Sequence, residues 1–490
     1  MNIAFITTEL APFAKVGGLG DVSSSLPLAL SKLGCNVKIF LPRYSIIDPW
    51  RYELHYCYNL NEISIKISEK ELSFHTYKLK LPNSDIEVYF IDNNHYFGRE
   101  NIYTNDHDEA ERFIFFTKAV FEICQRLKWA PDIFHLNDWP SGFFPIILKS
   151  HYAWDSLFSH STFLFTIHNI EYQGNFPPDI IWKNQLDGKY FYPGGPLEFH
   201  NKTSFLKAGI LFSQIITTVS ETYAKEILTH EYGAGMEKVL ETRKDDLFGI
   251  LNGVDYSEWN PSSDRFIPYK YSQKSLYRKK KNKLELLKYF HLPEDLETPL
   301  IGIVSRLVSQ KGFDLLIQGW EKLFENNIRM VVLGAGEKKY EDFFKALCYS
   351  FPQKVAVKIG FSTELAHLIE AGADMFLMPS RYEPCGLNQI YSLKYGTVPI
   401  VRKTGGLADT VKDWDYYSSL GLNIGNGFSF DEFSSDQLID AVQRAINRYF
   451  EKDTWKKIQI NGMNADFSWE QSAKKYFDLY LLAKKKKIST

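Results

Sequence analysis

Arg306 and Lys311 share one short loop, SRLVSQKG, between the apolar run PLIGIVS and the amphipathic stretch FDLLIQGWEKLFENN. Two cations between a strand and a helix N-terminus suit a diphosphate, because the helix dipole and the side chains both favour negative charge. They suit its departure better still. Breaking a sugar–diphosphate bond builds charge on the leaving group, and cations fixed there stabilise the transition state more than the ground state. Glu383 lies in a second such loop, PSRYEPCGL, after a run that ends near Pro379. Pro384 restricts its backbone. A carboxylate at that point can hold sugar hydroxyls, with the amides of Cys385, Gly386 and Leu387 turned to ligand oxygens, or it can serve as a helix-start charge. Cys385 has no legible base partner and reads as a packed residue or a backbone contact, not as a nucleophile.

The string Lys-x-Gly-Gly-Leu-x-Asp occurs twice, as KVGGLGD from Lys15 and KTGGLAD from Lys403. Each copy falls where a strand gives way to a helix. Neither has the spacing of a dinucleotide fingerprint or a P-loop. Backbone amides with a lysine beside them make an anion site; Gly-Gly equally permits a tight turn and close helix–sheet packing. HLNDWPSG offers His135 and Asp138, and TIHNIEYQG offers His168 and Asn169. His168 stands out because a strand delivers it to the same edge. No spacing resembles a metal cluster, and the Asp106/Asp108 and Asp413/Asp415 pairs follow no convincing strand. Arg306 and Lys311 are expected to act in a metal's place, with no metal and no cofactor.

Positioning these loops requires strands that end beside them. NIAFITTE, NVKIFLP, IEVYFID, DIFHLND, FLFTIHN and QIITTVS are short apolar runs, with helical stretches such as EAERFIFFTKAVFEICQRLK between some of them. The pattern restarts with PLIGIVS and continues through IRMVVLGAG, VAVKIGF, MFLMPS and TVPIVRK. Strands alternating with helices predict parallel sheets covered on both faces. Two doubly wound α/β domains are expected, one over residues 1–247 and one over 248–461, with ILNGVD at the seam. In the helix DVSSSLPLALSK, Asp21 is the expected N-cap and Gly34 the expected C-terminal stop. The lysine runs in YRKKKNK and at the chain's end read as solvated charge.

With 490 residues, the chain exceeds one ordinary core and predicts about two to four domains. A formal charge of −2 leaves no electrostatic footprint for nucleic acid. The five cysteines are scattered and odd in number, which suits a reducing compartment. MNIAFITTEL carries no basic lead or long apolar run, so neither a signal peptide nor a membrane span is read, and a cytoplasmic protein is expected.

Together the strings KVGGLGDV, HLNDW, TIHN, ILNGVD, VSRLVSQKG, PSRYEPCGL and KYGTVPIVRKTGGLADTV resemble, in order, the bacterial glycogen synthase and plant starch synthase family of retaining glucosyltransferases. The likeness runs from Met1 to about Leu482. It implies a GT-B architecture, two Rossmann-like domains facing across a deep cleft. The acceptor glucan would lie mainly on the first and the nucleotide on the second, with the segment 462–490 crossing back to the first. It implies transfer of glucose from ADP-glucose to the non-reducing 4-hydroxyl of an α-1,4-glucan, with retention. Lys15 matches a lysine at the donor's phosphate and sugar, with Gly18 close by; Arg306 and Lys311 match the pair that neutralises the diphosphate. His168 matches the histidine near the anomeric centre, Asn252 a sugar-side contact, and Glu383 the essential glutamate, with Cys385, Gly386 and Leu387 giving backbone contacts to glucose. Thr404, Gly405 and Gly406 are expected near the phosphates. Glu9, Tyr96, Asp138 and Asn169 fall where acceptor contacts are expected. Tyr391 stands where the wider superfamily often has a second glutamate, which favours the synthase branch. Phe361 stands where the family commonly shows tyrosine, which removes a hydroxyl from the nucleotide pocket and keeps UDP-glucose open as donor. A related transferase with a small acceptor would keep Arg306, Lys311 and Glu383; a non-catalytic glucan-binding protein would be favoured had they been lost.

Overall fold

Runs such as NIAFI and LIGIV carry apolar side chains on both faces, so neither face can be left to water, and they pair as parallel strands. The structure is a computed structural model and describes residues 1–82 and 84–488. The chain divides into two units: Met1–Gly253 together with the chain from Trp469 onward, and Val254–Ser468.

In the first unit the strands are β1 (Asn2–Ile6), β2 (Asn36–Pro42), β3 (His55–Tyr56), β4 (Ile63–Ile67), β5 (Lys70–Lys80), β6 (Glu87–Asp92), β7 (Ile133–Asn137), β8 (Thr162–Ile167), β9 (Asn175–Phe176), β10 (Glu198–Phe199), β11 (Lys202–Ser204), β12 (Ile215–Thr218) and β13 (Leu247–Gly249). A ten-stranded sheet runs β13-β12-β8-β7-β1-β2-β6-β5-β3, with β4 on β5; β9, β10 and β11 form a small sheet of their own. From β13 to β6 the pairing is parallel. Beyond β6 it turns antiparallel through β5, β3 and β4, a hairpin extension that the βαβ pattern does not anticipate. The chain passes from β1 outward to β2 and β6, then returns to lay β7 on the other side of β1, so order reverses between β1 and β7.

The second unit holds β14 (Leu300–Val304), β15 (Arg329–Gly334), β16 (Val355–Ile359), β17 (Met375–Met378), β18 (Val398–Arg402) and β19 (Phe428–Phe430) in one six-stranded sheet, ordered β16-β15-β14-β17-β18-β19. Every pairing in it is parallel. Here the order reverses between β14 and β17. In open α/β sheets such reversals open a crevice beyond the strands' carboxyl ends, where ligands bind.

Three local expectations need correction. The helix Gly18–Lys32 starts one turn earlier than Asp21: Gly17 is its N-cap, and Asp21 lies in the first turn. The lysines of YRKKKNK are not all solvated. Lys279 is buried and donates to Glu370 O, Ala371 O and Thr397 Oγ1, and burial pushes its amine down to about 7. Lys283 is buried too, paired with Asp374 at 2.6 Å. Nor is the terminal run a free tail: in the helix Trp469–Ile488, Lys484 pairs with Asp132, Lys486 with Asp246, and Lys487 donates to Ser161 O. Long aliphatic stems let these lysines cross buried ground to reach carbonyls and carboxylates.

Candidate active site

In the second unit the loops after β14 and β17 meet at the reversal. The first carries Arg306 and Lys311, the second Ser380, Glu383, Gly386 and Leu387, and these side chains line a cavity of about 200 Å³ with Asn388 at its edge. Lys311 Nζ lies 2.6 Å from Glu383 Oε2, which also accepts from Ser380 Oγ at 3.0 Å. Both contacts fall on one oxygen; Oε1 has no partner among the described residues. Arg306 is exposed and makes no ion pair among the described residues. Asn388 Nδ2 donates to Val304 O at 2.6 Å, tying the two loops together. The cavity wall therefore offers two cations and a carboxylate oxygen, a set that can take a diphosphate and the hydroxyls of a sugar.

Beneath the Glu383 loop lies the second Gly-Gly pair. Gly406 N donates to Glu383 O at 3.1 Å, and a Cβ built on Gly406 would stand 2.0 Å from Cys385 O. Gly405 takes φ +45 with its own Cβ position 2.0 Å from Glu383 O. Close backbone approach is what these glycines allow. Thr404, Gly405 and Gly406 are buried, as is Cys385, whose carbonyl accepts from Gln389 Nε2 at 3.1 Å. Gln389 also donates to Gly386 O at 3.0 Å and so braces the turn. Phe361 follows β16 on the same sheet edge and is 80% exposed.

In the first unit the reversal between β1 and β7 gathers Glu9, Lys15, Gly18 and Asp138, with His168 and Asn169 beside them at the end of β8. Glu9 is buried, and its carboxylate is fully engaged: Oε2 accepts from Val16 N and Gly17 N at 2.7 and 2.8 Å, and Oε1 accepts from Tyr103 Oη at 2.9 Å. Glu9 thus shapes the loop that presents Lys15, which pairs with Asp21 at 2.6 Å. Asp138 has φ 55 and takes His168 N–H on Oδ1 at 2.7 Å; burial pushes its carboxyl up to about 7, against the pull of that bond. His168 Nε2 lies 2.9 Å from Asn137 Oδ1, and burial pushes the imidazole down to about 3. Asn169 Oδ1 accepts from Glu171 N at 3.1 Å. Asn252, past β13, is buried with an Oδ1 that has no partner among the described residues. His135 is a core residue, held by Thr166 and Tyr480.

Tyr96 does not join this group. The expected acceptor contact is 0% exposed: Asn93 caps the short helix Asn94–Phe97, the ring packs 5.2 Å from Phe115, and its hydroxyl donates to Glu111 at 3.2 Å. Asn388, Gln389, Asn137 and Tyr103 were not legible as site residues, because each acts through a contact distant in sequence or through a carbonyl; Ser380 was not legible either, although the carboxylate it meets is only three positions on. No group of three or more His, Cys, Asp and Glu side chains placed to hold a metal occurs among the described residues.

Residues 2–242 match the family model described as the starch synthase catalytic domain, and residues 288–461 match that of glycosyl transferases group 1. A glycogen synthase of Thermotoga petrophila is 44% identical over 485 residues, covering 98% of each chain. One of Clostridium novyi is 42% identical over 482 residues, again covering 98% of each. Among solved structures, the catalytic domain of Starch Synthase IV from Arabidopsis thaliana, bound to ADP and acarbose, matches with a TM-score of 0.90 at 32% identity over 99% of both chains. The sucrose-phosphate synthase of Thermosynechococcus elongatus shares the fold alone, with a TM-score of 0.61 at 17% identity over 98% of both chains. With its paired parallel sheets of GT-B type and likeness along its whole length, the chain belongs to the glycogen and starch synthase family of glycosyltransferases.

Proposed function

We propose that the protein elongates an α-1,4-glucan by transferring glucose from ADP-glucose to the non-reducing 4-hydroxyl, with retained configuration and without a metal, in the cytoplasm. The observation that carries this reading is the cavity in which Arg306, Lys311 and Glu383 converge in a chain of this family. Arg306 and Lys311 take the diphosphate and hold the charge that grows as the glycosidic bond breaks. Glu383 holds glucose hydroxyls, helped by the amides of Gly386 and Leu387. Lys15 and Gly18 add to the donor's phosphate and sugar side, and His168 and Asn252 to the sugar. Phe361 supplies an open ring face for the base. Asp138 and Asn169 stand at the acceptor, while Glu9 serves it indirectly by shaping the Lys15 loop. The Arabidopsis relative bound to ADP supports the adenine nucleotide.

Initial rates with ADP-glucose and with UDP-glucose, each with glycogen as acceptor and EDTA present, test the reading. Incorporation from ADP-glucose that EDTA leaves unchanged is the expected result. Preference for UDP-glucose would overturn the donor assignment and direct attention to Phe361. Loss of activity in EDTA, restored by a divalent cation, would overturn the metal-free part. No incorporation from either donor by folded protein would overturn the synthase activity itself.

A further inference from the structure

His168 leaves the end of β8 with its ring held at one nitrogen only. Nε2 is 2.9 Å from Asn137 Oδ1. The far end of Asn137 determines which atom carries the hydrogen. Its amide nitrogen is 2.9 Å from Ile6 O. A carbonyl oxygen only accepts, so this end of the carboxamide must be the NH2 group and the oxygen must be the end that meets His168. An amide oxygen also only accepts, so Nε2 must bear a hydrogen. Asn137 is wholly buried within β7, bracketed by β1 and β8, and turning its carboxamide over would set its oxygen against the Ile6 carbonyl, two acceptors with no hydrogen between them.

A ring with hydrogen on Nε2 is either the neutral tautomer or the imidazolium. Burial favours the neutral ring, pushing the imidazole down to about 3. The ionisable groups around it agree. Asp138 accepts the backbone N–H of His168, not its ring. His135, on the same strand as Asn137, is itself driven by burial well below the usual imidazole range. Glu9 acts on Asp138, and its oxygens are taken by Val16, Gly17 and Tyr103. Nδ1 is then left with a lone pair and no protein partner among the described residues.

We propose that Asn137 is a positioning residue that locks His168 as the Nε2–H tautomer, so that Nδ1 meets the substrate as a hydrogen-bond acceptor for a sugar hydroxyl. The substrate half of this rests on the placement of His168 at the sugar under the proposed function; the tautomer half does not. The arrangement suits a glucosyl transfer. A neutral ring orients a hydroxyl without setting a positive charge beside an anomeric carbon that is itself becoming positive, as an imidazolium would.

The tautomer is read directly from long-range 1H–15N correlation spectra of the full-length 15N-labelled protein near neutral pH, with His168→Gln identifying the signal. A protonated Nε2 with a bare Nδ1 is expected. A bare Nε2, or a ring protonated on both nitrogens, overturns the proposal, and this measurement needs no altered Asn137. Kinetics with ADP-glucose and glycogen then test the consequence. In Asn137→Asp a carboxylate sits against Nε2 and raises the imidazole pKa, so the ring gains an Nδ1–H and loses its acceptor. Its kcat should fall about tenfold relative to wild type near pH 6 and recover to within about threefold near pH 8.5, with KM for ADP-glucose little changed. An equal loss at every pH reduces Asn137 to strand packing and overturns the positioning role. Should His168→Ala keep kcat within about twofold of wild type, the placement of His168 at the sugar fails, and the acceptor role with it, whatever the tautomer.

Discussion

Glu383 and Lys311 illustrate how much depends on single side chains here. Lys311 neutralises one oxygen of the carboxylate at 2.6 Å, and a bound diphosphate would compete for the same amine. Lys311→Ala should therefore lower kcat by about 10²–10³-fold, the usual cost of one lost charge-stabilising donor. Ser380 still satisfies Glu383 in that variant, so the melting temperature should change little. Turnover within about twofold of wild type would remove Lys311 from the chemistry. Asp138 makes a different statement. An ordinary aspartate loses its proton near pH 3.9, whereas burial holds this one to about 7. Between those values the folded chain keeps a proton the unfolded chain has lost. Stability from this group is thus complete below about pH 4 and declines as pH rises to about 7. Asp138→Asn retains an acceptor for His168 N–H without the ionisation. Its melting temperature relative to wild type should climb between about pH 5 and pH 8, and a gap that stays flat would contradict the buried proton. At this scale the sequence revealed which residue types matter but not what they touch. Arg306, Lys311 and Glu383 were legible because their loops interrupt strand-to-helix junctions. Tyr96 and Glu9 misled because nothing local distinguishes an offered side chain from one already engaged by Glu111 or by Val16 and Gly17.

The two Lys-x-Gly-Gly-Leu-x-Asp junctions look alike in sequence and do different work as elements. At Gly17 a Cβ would meet nothing within 4 Å, and the backbone is extended at φ −142. At Gly406 it would strike Cys385 O at 2.0 Å. Gly17→Ala should then shift stability by no more than about 0.5 kcal/mol. Gly406→Ala should cost about 1–3 kcal/mol through overpacking and should also lower kcat, because the strand-to-helix turn it pushes on carries Glu383. Denaturant unfolding and initial rates of the two variants side by side check this, and equal tolerance at both sites would defeat it. Parallel strands were the legible elements, since buried runs such as NVKIFLP and LIGIV admit few other fates. The hairpin extension β3–β5 was not read, because its strands are half-exposed, alternating apolar with polar residues, and are joined to the sheet through antiparallel pairs. Lys279 and Lys283 were misread because a charge run looks the same whether its heads meet water or, as here, buried carbonyls and Asp374.

Over the whole chain, the final helix closes the core of the first unit. Trp469, Ala473, Tyr476, Tyr480 and Ala483 belong to the hydrophobic core that β1 begins. Tyr480 Oη and His135 Nδ1 lie 2.7 Å apart, although 345 positions separate them in sequence. The second unit encloses cores of its own, formed by residues between Ile267 and Met463. The core of the first unit is therefore incomplete without the residues from Trp469 to Ala483, whereas the second already has all its core residues by Ser468. A chain ending at Ser468 loses two buried tyrosines and a buried tryptophan, and truncating each such side chain costs about 3–5 kcal/mol. That exceeds or matches the usual stability of a domain. Calorimetry should accordingly show heat absorption from the second unit persisting while that of the first is lost. Tyr480→Phe provides the graded control. It keeps the ring's packing but leaves His135 Nδ1 short of a partner, for a cost of about 1–3 kcal/mol confined to the first unit's transition. If the truncated chain melted with both transitions intact, the last helix would be a surface attachment, and the buried Tyr480–His135 contact would have no part in holding the sheet together.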